Sequence, residues 1–322
     1  MTPNVTEVAV AIFLKPDGSF LLSSRPPGKP YPGYWEFPGG KIEAGESVLQ
    51  AMIRELVEEL NVTITRATPW FTFMMHYTHA TVRLHCWRVT AWHGDMRGME
   101  GQQFAWQQLH AIHVAPTLPG CVPIFRALAL PDVYAITNAA EAGIAAYLGQ
   151  LERALEQGLR LVQIRERSLS GDELLRFAQA VVSRAHAYRA KVLVNADAVL
   201  AKQLGADGVH LTAAQLAGCQ VRPDFPLVAA STHRRDEIEL AAALKLDFVV
   251  LGAVKATATH PGQEPIGWTR FGEMVSAAPL PVYALGGLTR DDISVAIEHG
   301  AHGIAMQRGL AMSRHLAAQI AI

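Results

Sequence analysis

Glu55, Glu58 and Glu59 stand at i, i+3 and i+4 of one segment, so on a helix their three carboxylates share a face. Like charges so crowded repel each other and destabilise an isolated helix. Hard divalent cations between them remove the conflict, because Mg²⁺ and Mn²⁺ favour oxygen ligands. Such ions neutralise a polyphosphate, orient an attacking water and acidify it. A second group of candidates lies in the later part of the chain: Arg165 and Arg167, Asn195 and Asp197, His210, Ser231-Thr232-His233, Thr257, Thr259 and His260, Gly286-Gly287, and Gln307-Arg308-Gly309. Basic side chains beside glycine loops suit an anion pocket. The alternative is that the arginines form rim ion pairs and the glycines only permit close backbone packing.

The elements that must carry these residues follow two grammars, changing near Ala129–Asp132. The spacing of apolar residues predicts a hairpin from Val8–Leu14 and Phe20–Ser23 around the turn Lys15-Pro16-Asp17-Gly18. A Pro/Gly-rich loop, Pro26–Gly33, follows. Val48, Met52, Ile53, Leu56, Val57 and Leu60 then recur at helical spacing, with Ser47 placed to cap the helix, and Thr81–Thr90 reads as a strand. After Pro131 short β-rich runs alternate with helical stretches such as Ala142–Gln157, Asp172–Tyr188 and Arg234–Leu244. The runs are Val133–Ile136, Leu161–Ile164, Val192–Val194, Gly208–Leu211, Leu227–Ala230, Phe248–Leu251, Val282–Leu285 and Gly303–Met306. Parallel strands need such crossovers, and eight of them close a barrel. The expected division is therefore 1–130 and 131–322, an α/β chain of two domains.

Composition excludes several classes. A chain of 322 residues, half hydrophobic and 18% charged, has enough apolar material for two cores. The longest apolar runs, Val8–Leu14 and Phe248–Val254, are too short to cross a bilayer, and Pro3, Asn4 and Glu7 break any leader-like apolar start. Cys86, Cys121 and Cys219 are widely spaced with no CxxC pair, so a reducing cytoplasm is the expected location. A net charge of −1 gives no reason to expect binding to a nucleic-acid polymer or to anionic lipid.

Gly40 to Val62, with Glu46, Arg54, Glu55, Glu58 and Glu59 at their spacings, resembles the Nudix box, G-x5-E-x7-R-E-U-x-E-E-x-G-U with U aliphatic. One specified position differs: the late glycine is Asn61, which tolerates a left-handed helix end. Trp35–Glu46 is most similar to MutT-type 8-oxo-dGTP diphosphatases, a likeness spanning about Val8–Leu128. It implies an α/β/α sandwich with a mixed sheet, and Mg²⁺ or Mn²⁺ held by Glu55, Glu58 and Glu59 with the Gly39 carbonyl as a further ligand. It also implies Glu46 and Arg54 supporting that helix, Arg25 and Lys41 near phosphate, and Phe37 near the base. Ala105 falls where the pattern has a glutamate that assists the metals, with Glu100 as a carboxylate of the same loop. Cys121 falls where it has the asparagine that reads the oxidised purine. His76, His79 and His85 read as cross-strand surface residues, a metal site being the alternative.

Gln163-Ile164-Arg165-Glu166-Arg167, Gly205–Leu211, Ser231-Thr232-His233 and Ala284–Gly287 together resemble the thiamine phosphate synthases and their thiazole tautomerase relatives, over about Val133–Leu310. This implies a (β/α)8 TIM barrel and a pocket for a thiazole phosphate, in which Arg165, Asn195, Ser231, Thr257 and Thr259 stand at ligand positions. Departures accumulate here: Asn195-Ala196 replaces Asn-Asp, Thr212–Gln215 lacks the second acid, and His260 and Arg167 replace lysines. Without those magnesium carboxylates competent synthesis is not expected. Tautomerisation needs one acid/base group and no metal, and His233 stands where the tautomerases carry theirs.

The expectation is thus a Mg²⁺-dependent hydrolase of 8-oxo-dGTP or a related damaged nucleoside triphosphate, giving monophosphate and pyrophosphate, fused to a degenerate synthase-like barrel. The alternatives are a hydrolase of thiamine-related diphosphates linked to a thiazole-binding or tautomerase barrel, and a barrel that only binds or dimerises.

Overall fold

The structure, a computed structural model, describes residues 5–78, 80–257, 262 and 264–310. The chain divides into two compact units whose main boundary lies between Ala129 and Leu130. Among the described residues no helix is long and apolar enough to cross a membrane.

The first unit contains β1 (Val5–Phe13), β2 (Phe20–Ser24), β3 (Trp35–Glu36), β4 (Gly39–Lys41), α1 (Val48–Leu60), β5 (Thr63–His76), β6 (Thr81–His93), β7 (Phe104–Gln107) and α2 (Cys121–Leu128). One sheet runs β4-β1-β6-β5, with β1 and β6 parallel and the other pairs antiparallel; a smaller sheet runs β3-β2-β7. β1 is buried on both faces, and its alternation sorts the cores. Ala9, Ala11 and Phe13 pack with Met52, Leu56 and Leu60 of α1, while Val10 and Ile12 share a cluster with Ile124 and Ala127 of α2. This is the expected α/β/α sandwich. The long strand β5 has no counterpart in the sequence reading: Pro69 interrupts its pattern, and register shifts at Ile64/Arg66, Arg66/Ala67 and Pro69/Phe71 break its alternation.

The second unit follows strict alternation: β8 (Val133–Ile136), α3 (Ala139–Ala142), α4 (Ile144–Glu156), β9 (Leu161–Ile164), α5 (Gly171–Ala187), β10 (Lys191–Asn195), α6 (Ala198–Leu204), β11 (Gly208–Leu211) and α7 (Ala213–Gly218). It continues with β12 (Leu227–Thr232), α8 (Arg235–Ala243), β13 (Phe248–Gly252), α9 (Gly267–Val275), β14 (Val282–Leu285), α10 (Ile293–Glu298) and β15 (Gly303–Met306). The eight strands pair in parallel and close, β15 joining β8. They are short and mostly apolar because side chains face either the barrel interior or the helices, with polar exceptions such as Gln163, Asn195, His210 and Ser231. Tyr134, Phe248 and Tyr283 fill the interior, each 0% exposed.

Candidate functional sites

In the first unit the site is built by a loop clamped onto a helix. Ser47 caps α1 by accepting from the Gln50 backbone N–H, and Gln50 returns the bond, a capping box that fixes where the helix begins. Asn61 ends it at φ 55, ψ 38, the left-handed conformation its place in the box requires. Arg54 grips Glu46 bidentately at 2.8 and 2.9 Å, donates to Glu55 at 2.9 Å and to the Lys41 carbonyl at 3.0 Å. One guanidinium thereby ties the loop to the helix. The Arg54 bonds, then the Glu43 backbone N–H, hold the Glu46 carboxyl down at about 2. A Cβ at Gly40 would meet the Glu55 carboxylate, so the bare glycine lets that carboxylate lie against the loop.

Of the three acidic residues, Glu55 and Glu59 are mostly covered, at 17% and 14% side-chain exposure, while Glu58 is 59% exposed. Burial pushes the Glu59 carboxyl above the usual range against the pull of Lys29. Lys29 was not singled out in the sequence. Its Nζ lies 3.0 Å from Glu59 and 2.9 Å from Glu100, a cation between two carboxylates. With Glu55 turned to Arg54 and Glu59 to Lys29, no three His, Cys, Asp or Glu side chains are gathered as a metal group among the described residues. The donor set nonetheless fits a hard divalent ion: oxygen donors only, one helix face, a glycine loop beside them, and a buried carboxylate already drawing a cation.

The expected substrate contacts fare unevenly. Lys41 is exposed. Arg25 is committed to Glu36 at 2.6 Å and to the Pro30 carbonyl at 2.6 Å. Phe37, expected near a base, is instead 5% exposed and packs in the core against Phe20 and Phe125. Cys121 is 3% exposed beside the Trp35 carbonyl, and burial pushes its thiol up to about 12, so it offers a base a neutral, covered sulfur. Ala105 lies within β7, paired with Leu22. His85 bonds Thr72 across the strands and Glu7 on β1, and His76 bonds Thr81, so both are cross-strand residues; His79 lies outside the described residues.

In the second unit a cavity of about 600 Å³ opens at the C-terminal ends of the strands. Arg165, Arg167, Asn195, His210, Ser231, Thr232, His233, Thr257, Gly286, Gly287, Gln307, Arg308 and Gly309 all line it, whereas Asp197 does not: it caps α6 by accepting from the Leu200 backbone N–H at 2.8 Å; Thr259 and His260 lie outside the described residues. Gly287 takes φ +63, and a Cβ there would come 2.5 Å from the Ala256 carbonyl oxygen, so the β14 loop can lie against its neighbour only as glycine. Arg308 pairs with Glu141 at 2.8 Å. The His233 Nδ1 lies 3.4 Å from the Gly252 carbonyl. Partial burial, then Arg167, lower the Arg165 pKa from its ordinary value.

Three arginines and no Asp or Glu stand among the described lining residues. The two places where acids were missing are filled by other bonds. Ala196 adopts φ 62, and its carbonyl accepts from Gln215, which also completes the Thr212 capping box of α7. This lining does not fit a bound magnesium ion. Sequence reasoning missed Tyr134 as a support of this site; it is buried in the barrel core, bonded to the lining residues Gln163 and His210.

Residues 133–310 match the family described as thiamine monophosphate synthase and residues 5–127 that described as the NUDIX domain. The chain is 32% identical over 163 residues to the thiamine-phosphate synthase of Chlorobium luteolum, covering 49% of this chain and 77% of that one. It is 34% identical over 118 residues to the CTP pyrophosphohydrolase of Escherichia coli, covering 37% and 87%. A solved structure from work on MutT of Aliivibrio salmonicida and Vibrio cholerae is 32% identical and covers 39% of this chain and 97% of its own, with a TM-score of 0.34.

Proposed function

We propose, for a chain that belongs to the Nudix hydrolases in its first unit and to the thiamine monophosphate synthase family in its second, that the first unit cuts nucleoside triphosphates to monophosphate and pyrophosphate, with 8-oxo-dGTP as the preferred substrate. Hydrolysis of a diphosphate bond is the coarser statement, carried by family membership. What supports the metal-dependent reading is the Arg54 clamp, which fixes Glu46 and Glu55 beside the loop on which a polyphosphate would lie. Glu55, Glu58, Glu59 and the Gly39 carbonyl would hold Mg²⁺ or Mn²⁺. The ion supplies charge neutralisation and an acidified water. The protein's own part is to aim Glu55 and Glu59, while the more exposed Glu58 would turn inward as either ligand or proton acceptor. Lys29 is placed to pass from Glu59 to a phosphate oxygen when substrate and metal arrive.

A second reading has its own support. Cys121 is buried where a purine-reading amide was expected, and a 34% identical relative is called a CTP pyrophosphohydrolase. Steady-state hydrolysis of 8-oxo-dGTP, dGTP, CTP and thiamine diphosphate with Mg²⁺ separates them. A higher kcat/KM for 8-oxo-dGTP than for CTP upholds the first reading, and the reverse order replaces it with the second.

For the second unit we propose a metal-independent site for a thiazole phosphate, without synthase turnover. An arginine-lined cavity lacking carboxylates supports it. His233, at the cavity wall, is the candidate acid/base group for a tautomerisation. Calorimetry with a thiazole phosphate in excess EDTA tests the site: binding is expected to persist, and a strict Mg²⁺ requirement would overturn it.

A further inference from the structure

Four polar side chains from four strands form one continuous line at the barrel cavity, three of them lining it and the fourth, Tyr134, buried behind them. Gln163 on β9 donates from Nε2 to the Tyr134 hydroxyl oxygen at 3.0 Å. Tyr134 on β8 lies 3.2 Å from Nδ1 of His210 on β11, and His210 Nε2 lies 2.9 Å from the Ser231 Oγ on β12. Tyr134, Gln163 and His210 are 0%, 1% and 1% exposed, whereas Ser231 is half-buried at the cavity. Buried polar groups must be satisfied, so the direction of each bond constrains the next.

His210 is neutral, because burial and then Arg165 push its pKa down to about 3. A neutral imidazole carries one N–H, so one ring nitrogen donates and the other accepts. The Tyr134 oxygen already receives the Gln163 amide, and its own proton has His210 Nδ1 as its acceptor. Nδ1 is then bare, Nε2 carries the proton, and Nε2–H donates to Ser231. With its oxygen engaged from below, the Ser231 hydroxyl proton is left facing the open cavity.

We propose that the Gln163–Tyr134–His210–Ser231 array holds His210 as its Nε2–H tautomer and so presents Ser231 as a hydrogen-bond donor. The cavity thereby selects a ligand with an acceptor, such as a phosphate oxygen or an unprotonated ring nitrogen, at that point. Tyr134, Gln163 and His210 are positioning residues, acting on ligand through Ser231. The selectivity rests on the reading of the barrel as an anion-ligand site; the tautomer does not.

The test uses the full chain labelled with ¹⁵N, with the His210 ring nitrogens assigned by difference from His210→Gln. A protonated Nε2 and a bare Nδ1 are expected, unchanged between about pH 5 and 8. An Nδ1–H tautomer or an imidazolium ion would overturn the proposal. Tyr134→Phe removes one oxygen and keeps the core ring. With inorganic pyrophosphate as the calorimetric probe, Tyr134→Phe and Ser231→Ala should each weaken binding about tenfold. Unchanged affinity in Tyr134→Phe would remove the positioning role. Failure of the wild-type chain to bind pyrophosphate would overturn the anion-site reading and the selectivity drawn from it, while the ring nitrogens still decide the tautomer.

Discussion

The two sites meet phosphate chemistry with opposite charge. The first gathers carboxylates on a helix, and its own arginine and lysine already lean on them. The second gathers Arg165, Arg167 and Arg308 and no described carboxylate. An acidic site repels a polyphosphate unless divalent ions come between, so it is built to work loaded. An arginine-lined cavity attracts an anion directly and gains little from a metal. The contrast teaches that two units of one chain can prepare for an anionic ligand in opposite ways, one with carboxylates that call for a metal and one with arginines that do not.

Variants that break the first site should have the largest effects. Glu58→Gln keeps size and removes charge, and should cut Mg²⁺-dependent hydrolysis about a hundredfold or more with helix content unchanged by circular dichroism. Arg54→Ala, which releases Glu46 and Glu55 together, should cost roughly ten- to a hundredfold in activity, and Arg54→Lys should not restore it because an ammonium cannot hold Glu46 bidentately. On the barrel side, Arg165→Ala should weaken pyrophosphate binding about tenfold by calorimetry, equally with and without EDTA. A loss seen only with Mg²⁺ present would erase the contrast between the sites.

A further effect, on the fold rather than on ligand binding, is a pH dependence of stability. His210 is depressed in the folded state to about 3, so between that value and its unfolded value the unfolded chain binds more protons. Stability therefore falls as pH drops through that window, with a slope of at most about 1.4 kcal/mol per pH unit for one proton. Thermal melts from about pH 7 down to pH 4 should show a shallower decline in His210→Gln than in the wild-type chain.

Much of this was legible in residue spacing. The barrel strands Val133–Ile136, Leu161–Ile164, Gly208–Leu211, Val282–Leu285 and Gly303–Met306 appear with the bounds their largely apolar runs suggested, because a strand buried on both faces is mostly apolar. The helix α1 and its caps at Ser47 and Asn61 were equally plain. β5 was hidden because Pro69 and three register shifts disturb its alternation. Phe37 reads as near a base from the resemblance alone; it follows the strand Trp35–Glu36 and packs in the core, which residue spacing does not reveal. Lys29 and Tyr134 went unnoticed for a different reason: their partners are far along the chain, at Glu59 and Glu100 and at Gln163 and His210, and no local pattern marks such pairs.

The most direct test of the account is Mn²⁺ titrated into the full chain and followed by loss of the free-ion electron paramagnetic resonance signal, with the wild type set beside a Glu55→Gln, Glu58→Gln, Glu59→Gln combination. Binding by the wild type that disappears in the combined variant, with helix content kept, is the predicted result. Equal Mn²⁺ uptake by the two proteins, or none by either, would contradict it.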